Sequence, residues 1–139
     1  MAIKLESLKA DLDRETKGDW VDHPDIPGLR LKVSSLFKPE YTTAREMAYK
    51  RLSAIYKGDS IPQLVLSTEL GGLYAKYILH DWEGLDVPYS EATAEKYLTD
   101  PAYRLLVSAV EWCAGKLAEI RVEYVEQDAK NSGKPSAGA

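Results

Sequence analysis

Apolar residues along the chain recur mostly at intervals of three and four, with one short stretch at intervals of two, and that mixture predicts helices around a small amount of sheet. Near the start, Leu5, Leu8 and Leu12 keep helical spacing. Asp11 to Lys17 is almost entirely charged, however, so the helix expected there is short, and Gly18 ends it. Trp20 and Val21 then begin a strand, and His23-Pro24-Asp25-Ile26-Pro27-Gly28 reads as a turn. The next segment, Leu29-Arg30-Leu31-Lys32-Val33-Ser34, alternates as a strand with one buried face does. Leu29, Leu31 and Val33 are assigned to the core, and Arg30, Lys32 and Ser34 to water or an edge partner. Two strands are marginal alone, so this ribbon must lie on helices.

Pro39 suits a first helical turn, where its missing amide hydrogen has no partner to lose. Tyr41, Ala44, Ala48, Leu52 and Ile55 then share one face of a helix expected to run to about Lys57. Gly58-Asp59-Ser60 breaks it and Pro62 restarts a second, with a stripe of Leu66, Leu70, Leu73, Tyr74, Tyr77 and Ile78. Gly71-Gly72 interrupts that stripe at a cost of about 2 kcal/mol relative to alanines, so either the helix bends there or another backbone approaches closely. Asp81-Trp82-Glu83-Gly84 is read as the start of a connection. Ser90 is a plausible N-cap for a helix over Glu91 to Leu98, with Glu91 and Glu95 near its positive end and on its surface. Asp100-Pro101 opens the longest element, where Leu106, Ala109, Val110, Cys113, Leu117, Ile120 and Tyr124 keep a spacing of three or four, enough for about 40 Å of helix.

The expected fold is mainly α: four to five helices with a small N-terminal β-hairpin or ribbon. Residues 1–17 are expected as a partly ordered segment, 18–128 as a single helical domain carrying the β-ribbon, and 129–139 as a flexible tail. With 45% hydrophobic and 29% charged residues in 139, the chain has the composition of an ordinary globular domain that needs no disulfide framework. Its single cysteine fits a reducing compartment. No apolar run approaches the length of a membrane span, and the N-terminus alternates charge with leucine, so neither a span nor a signal peptide is expected. The net charge is −4, and residues 81–100 alone hold six acids against Lys96. Nucleic acid is therefore not an expected partner; the most basic stretch, Lys38 to Lys57, is diluted by Glu40 and Glu46.

None of the residues makes a convincing catalytic or metal constellation, so the chain is read as a non-enzyme with no cofactor and no metal. Cys113 sits on an apolar helical stripe and reads as a small buried hydrophobe. His23 lies in a turn and His80 at an expected helix end, far apart and without cysteine or histidine companions at ligand spacing. Asp81, Glu83 and Asp86 alternate somewhat like a calcium loop, but Trp82 interrupts them and no bidentate glutamate follows at the required place. Gly71-Gly72 has no phosphate-loop lysine after it. Nine tyrosines against one phenylalanine suit half-buried positions, where a ring packs and a hydroxyl stays wet.

Trp20-Val21-x-x-Pro24, then Gly28-Leu29-Arg30-Leu31-Lys32-Val33-x-Ser35 and Pro39-x-Tyr41, resemble the opening of tail assembly chaperones of long-tailed bacteriophages. Ile78-Leu79-x-Asp81-Trp82-Glu83-Gly84-Leu85, Pro88-Tyr89-Ser90, Ala94, Leu98 and Asp100-Pro101 resemble that family's central signature. The link from Gly84 to Pro88 is shorter than the polar turn relatives often carry. The resemblance implies a non-enzymatic protein of the infected host's cytoplasm, absent from the mature virion. Such a protein binds the tape measure protein, keeps it soluble, and assists assembly of tail tube protein around it. The family also implies that a frameshifted longer form can exist. A structural virion protein of the head–tail connector or tail completion type is the rival. Trp82, Leu85 and Tyr89 are the candidate partner-binding residues, because a loop between helices can present an aromatic the core does not need; the other reading makes Trp82 a lid on the core.

Overall fold

The computed structural model describes residues 1–125, so the tail expected over 129–139 lies outside the described residues. Helix α1 (Leu12–Lys17) ends at Gly18, whose φ of +88° turns the chain into strand β1 (Asp19–Asp22). The alternating segment forms β2 (Arg30–Val33), with Leu31 and Val33 fully buried and Leu29 buried just before it. Ser34 departs from the expected exposure. It is fully buried, because its hydroxyl donates to the Thr16 carbonyl at 2.8 Å and its amide to the Ile78 carbonyl at 2.8 Å, which tie α1 and the Tyr74–Ile78 turn to the end of β2.

The sheet has a third strand that the sequence reading treats as a helix end and a connection. β3 (Leu79–Glu83) pairs antiparallel with β2, giving the order β1-β2-β3. Lys32 faces Asp81 while Val33 faces Leu79, so His80 is an extra residue on β3. Leu79 and Trp82 are three apart, and an unbroken pleat would send them to opposite faces. The bulge brings both to the buried face, where they are 2% and 6% exposed. It also removes the strict alternation by which a strand is recognised.

Five α-helices occur among the described residues, and the fold is mainly α with a small antiparallel sheet. Helix α2 (Pro39–Ile55) begins at the expected proline, and α3 (Gln63–Leu73) follows after the glycine break. The stripe continues through Tyr74–Ile78 as one wide π-turn before entering β3. Helix α4 (Glu91–Leu98) starts where Ser90 Oγ accepts the Thr93 amide at 3.0 Å. Asp100 caps a 3-10 turn (Pro101–Tyr103) through the Ala102 amide at 2.9 Å, and α5 (Arg104–Leu117) follows. Ala109, Val110, Cys113, Ala114 and Leu117 of α5 pack with the sheet's buried face to make the core. Gly71 is the close approach that the paired glycines predict: the Leu98 carbonyl lies in the space a Cβ would take.

Helix α5 stops at Leu117 and does not reach Tyr124. Beyond it Ile120, Val122 and Tyr124 alternate with Arg121 and Glu123, a period of two with β-branched residues that favours extended chain over helix. Helical spacing and this alternation share Ile120 and Tyr124, which is why the stripe seems to run on.

The chain divides into two compact units. The larger is Leu12–Ala118, containing the sheet and all five α-helices. The smaller joins Met1–Asp11 to residues 119–125. In it Lys4 donates its amide to the Glu123 carbonyl at 2.8 Å, Val125 donates to Ala2 at 2.9 Å, and Ile3 bridges Tyr124.

Candidate functional site

Helices α2 and α3 form a hairpin that is only partly sunk in the core. Over its whole length α2 buries Tyr41 and Leu52, while Met47, Tyr49 and Ile55, together with Leu64 of α3, stay mainly exposed. An open groove of about 650 Å³ runs between this hairpin, the α4–α5 corner and the first turns of α5. Its walls are apolar: Leu66 and Leu70 of α3, Leu98 at the end of α4, Pro101, and Val107 of α5. The groove owes its shape to Gly71, because the contact with Leu98 draws α3 against the α4–α5 corner.

Four charged groups lie along the groove: Arg45 of α2, Asp100 at the corner, and Arg104 and Glu111 of α5. Beneath it a polar chain crosses between the helices. Tyr74 Oη donates to Glu111 Oε2 at 2.7 Å, the Tyr74 ring packs at 5.8 Å from the Tyr41 ring, and the Arg45 guanidinium lies over Tyr41 at 5.6 Å. Burial raises both phenols above their ordinary pKa, Tyr74 the further, where the Glu111 carboxylate adds to the effect. Both tyrosines are neutral hydrogen-bonding spacers across the physiological range. Their buried polar atoms are satisfied.

The residues singled out from sequence fall together around one turn but with different roles. Trp82 is buried, its Nε1 donates to the Val87 carbonyl at 2.7 Å, and Tyr89 meets it edge-on at 5.2 Å. The Tyr89 hydroxyl donates to the Leu79 carbonyl at 3.3 Å. Both aromatics therefore fasten the 84–90 loop to the sheet, and of the three only Leu85 is an exposed side chain, beside Val87. The groove lies elsewhere, and the sequence reading passed over it. Its one signal was the set of apolar residues lying off the main stripe of α2, Met47 and Tyr49, which a helix packed on one side does not need.

The remaining polar candidates are occupied structurally. Cys113 is fully buried, 3.9 Å from the Val21 carbonyl, and burial pushes its thiol up to about 11. His23 packs against Trp112 at 5.2 Å and accepts the Asp25 amide on Nδ1. His80 is in the β3 bulge, where the sequence reading has a helix end, and its Nε2 is 2.6 Å from Ser34 Oγ. Because that hydroxyl gives its proton to Thr16, Nε2 is the donor to Ser34. Of the acidic run, Glu83 pairs with Arg30 at 3.0 Å and Asp81 accepts the Trp82 amide. No group of three or more histidine, cysteine, aspartate or glutamate side chains is placed to hold a metal among the described residues.

Residues 36–131 match the model of the YdaY prophage protein family, and the chain belongs to that family. No curated protein and no solved structure matches it.

Proposed function

We propose that this phage-derived chain is a tail assembly chaperone, acting by binding and without catalysis. Its partner is the tape measure protein, whose amphipathic helices stay uncovered until tail tube protein closes around them. The observation that carries the proposal is the apolar groove flanked by a hairpin whose apolar side chains are mainly exposed. A groove between helices accepts the apolar face of another helix, and a wet rim lets that helix leave. The apolar lining residues Tyr49, Leu66, Leu70, Leu98 and Val107 come from four helices, so binding energy is distributed and a competing tube subunit can displace the chaperone stepwise. On this reading it works in the cytoplasm of the infected host and is left out of the finished particle.

Co-expression with the tape measure protein of the same prophage tests the proposal. The soluble fraction of the tape measure protein should rise with this chain and fall back when Leu66 and Leu70 are both changed to serine. Unchanged solubility with the folded chain present would refute it. Stoichiometric copies in purified particles would instead favour a connector or tail completion protein.

A further inference from the structure

Resting on that reading, the groove's polar chemistry narrows the occupant. We infer that the groove between the α2–α3 hairpin and α5 selects an amphipathic helix whose apolar face is flanked by carboxylates, read by Arg45 and Arg104. Both acids of the groove already serve the fold: Glu111 accepts from Tyr74 at 2.7 Å, and Asp100 accepts the Ala102 amide at 2.9 Å. The two arginines are not matched in this way. Arg45 is exposed and lies over the Tyr41 ring with no carboxylate within ion-pair distance among the described residues; Arg104 is exposed and, among the described residues, has neither an ion pair nor a side-chain hydrogen bond.

Arg104 opens α5, which continues the 3-10 turn whose N-terminus the Asp100 carboxylate already caps. What the groove offers an incoming segment is therefore an apolar wall bordered by two guanidiniums with unused donors, which match carboxylates in a planar, forked geometry, and by two carboxylates already holding hydrogen bonds. Lysine-flanked helices bring a charge that these donors repel. The preference is short-ranged, acting at the rim within a Debye length, so the chain's overall charge of −4 does not cancel it.

Two synthetic helical peptides of about eighteen residues test this, identical in a Leu/Ala face and flanked by Glu in one and Lys in the other. Each is titrated with the full chain by fluorescence anisotropy at low and high salt. The expected result is about tenfold tighter binding of the Glu peptide at low salt, shrinking toward parity at high salt. In the double variant Arg45→Glu, Arg104→Glu the preference should vanish or reverse. Both positions are exposed, and an unchanged thermal melt verifies the fold; Arg45→Gln with Arg104→Gln should give an intermediate loss. Equal affinity for the two peptides, a preference for Lys, no binding of either, or a Glu preference that survives the double variant would each overturn the inference. Should tape measure solubility still rise in the co-expression assay, the inference falls and the chaperone reading stands; if solubility fails while the peptide preference holds, the reverse is true.

Discussion

Changing Gly71 to alanine isolates the contact that builds the groove. In a helix interior this substitution should gain about 1 kcal/mol from propensity alone. Here the new methyl would run into the Leu98 carbonyl oxygen, with the carbonyl carbon 2.7 Å away and the Thr99 nitrogen 3.4 Å away. These are backbone atoms, so no rotamer change relieves the clash. Nor can the end of α4 simply withdraw: Leu98 is 1% exposed and Thr99 donates its amide to Glu95 at 3.1 Å. Either α3 separates from the α4–α5 corner or the Leu98 side chain leaves its place in the core. Overpacking of this kind costs about 1–3 kcal/mol and more when backbone must move, so the net effect expected is a loss of about 2 kcal/mol.

Gly72 supplies the matched control, since its added methyl would meet only Thr99 Cγ2 at an ordinary 3.7 Å. Gly72→Ala should hold or raise stability by up to about 1 kcal/mol. Urea unfolding followed by circular dichroism and tryptophan fluorescence should separate the two variants by about 3 kcal/mol with similar m-values. At the melting temperature, the Gly71 loss corresponds to a fall of roughly 5–10 °C. Equal midpoints for the two alanine variants, or a more stable Gly71→Ala, would refute the reasoning that backbone contact explains the paired glycines.

Three further outcomes follow from side chains whose roles the structure assigns. Trp82→Phe removes the indole donor to Val87 and should cost about 1 kcal/mol, and Trp82→Ala about 3–5 kcal/mol, in denaturant unfolding; a stability loss under 0.5 kcal/mol for the alanine variant would contradict its core role. His80 is held below its ordinary pKa of 6.5, first by burial and then by Lys38 and Lys32. The unfolded chain then binds the proton more readily, so this contribution is complete above the ordinary value and is lost as pH falls through it toward the lowered one. Stability measured between about pH 6.5 and 5 should decline more steeply in the native sequence than in His80→Gln, which keeps a donor for Ser34, and identical slopes would count against the assignment. Cys113, with its thiol up at about 11, should react with a disulfide reagent at neutral pH only as fast as the chain opens, whereas rapid native-state labelling would show the helix stripe to be exposed.

What the sequence conveys about the fold depends on whether local pattern and tertiary contact agree. At Pro39, Ser90 and Leu29 to Val33 the capping chemistry or the alternation is the same one the folded chain uses, and those elements fall where expected. β3 was hidden because the His80 bulge cancels the alternation, and because Tyr74, Tyr77 and Ile78 continue a helical stripe into the π-turn. The end of α5 was hidden for the opposite reason: Ile120 and Tyr124 satisfy two periods at once, and the Ile3–Tyr124 bridge that selects the extended one spans most of the chain. Of the site, the turn holding Trp82, Leu85 and Tyr89 was visible as an aromatic loop, but its hydrogen bonds to Val87 and Leu79 turn inward. Arg45, Leu66, Leu98 and Arg104 come from separate elements that share no motif, so a groove made of them has no signature in the linear chain.

That separation bears on how such a surface can work. A hairpin fixed mainly through Tyr41, Leu52 and the Gly71–Leu98 contact keeps its fold with few of its own side chains, leaving Met47, Tyr49, Ile55 and Leu64 available without exposing core. Single exposed apolar residues are ordinary on any protein; here Tyr49 lines the groove beside Leu66 and Leu70, whereas Met47 and Leu64 fall on other faces of α2 and α3. On the proposed reading, each side chain buried there would contribute on the order of 1 kcal/mol after ordering costs, so no one contact would dominate and the complex could be released by partial competition. Beneath the groove, the Tyr41–Tyr74 ring contact and the Tyr74–Glu111 hydrogen bond connect α2, the π-turn and α5. On the proposed chaperone reading, a temporary holder of helices needs a site that persists without its guest and a grip that another protein can loosen one turn at a time.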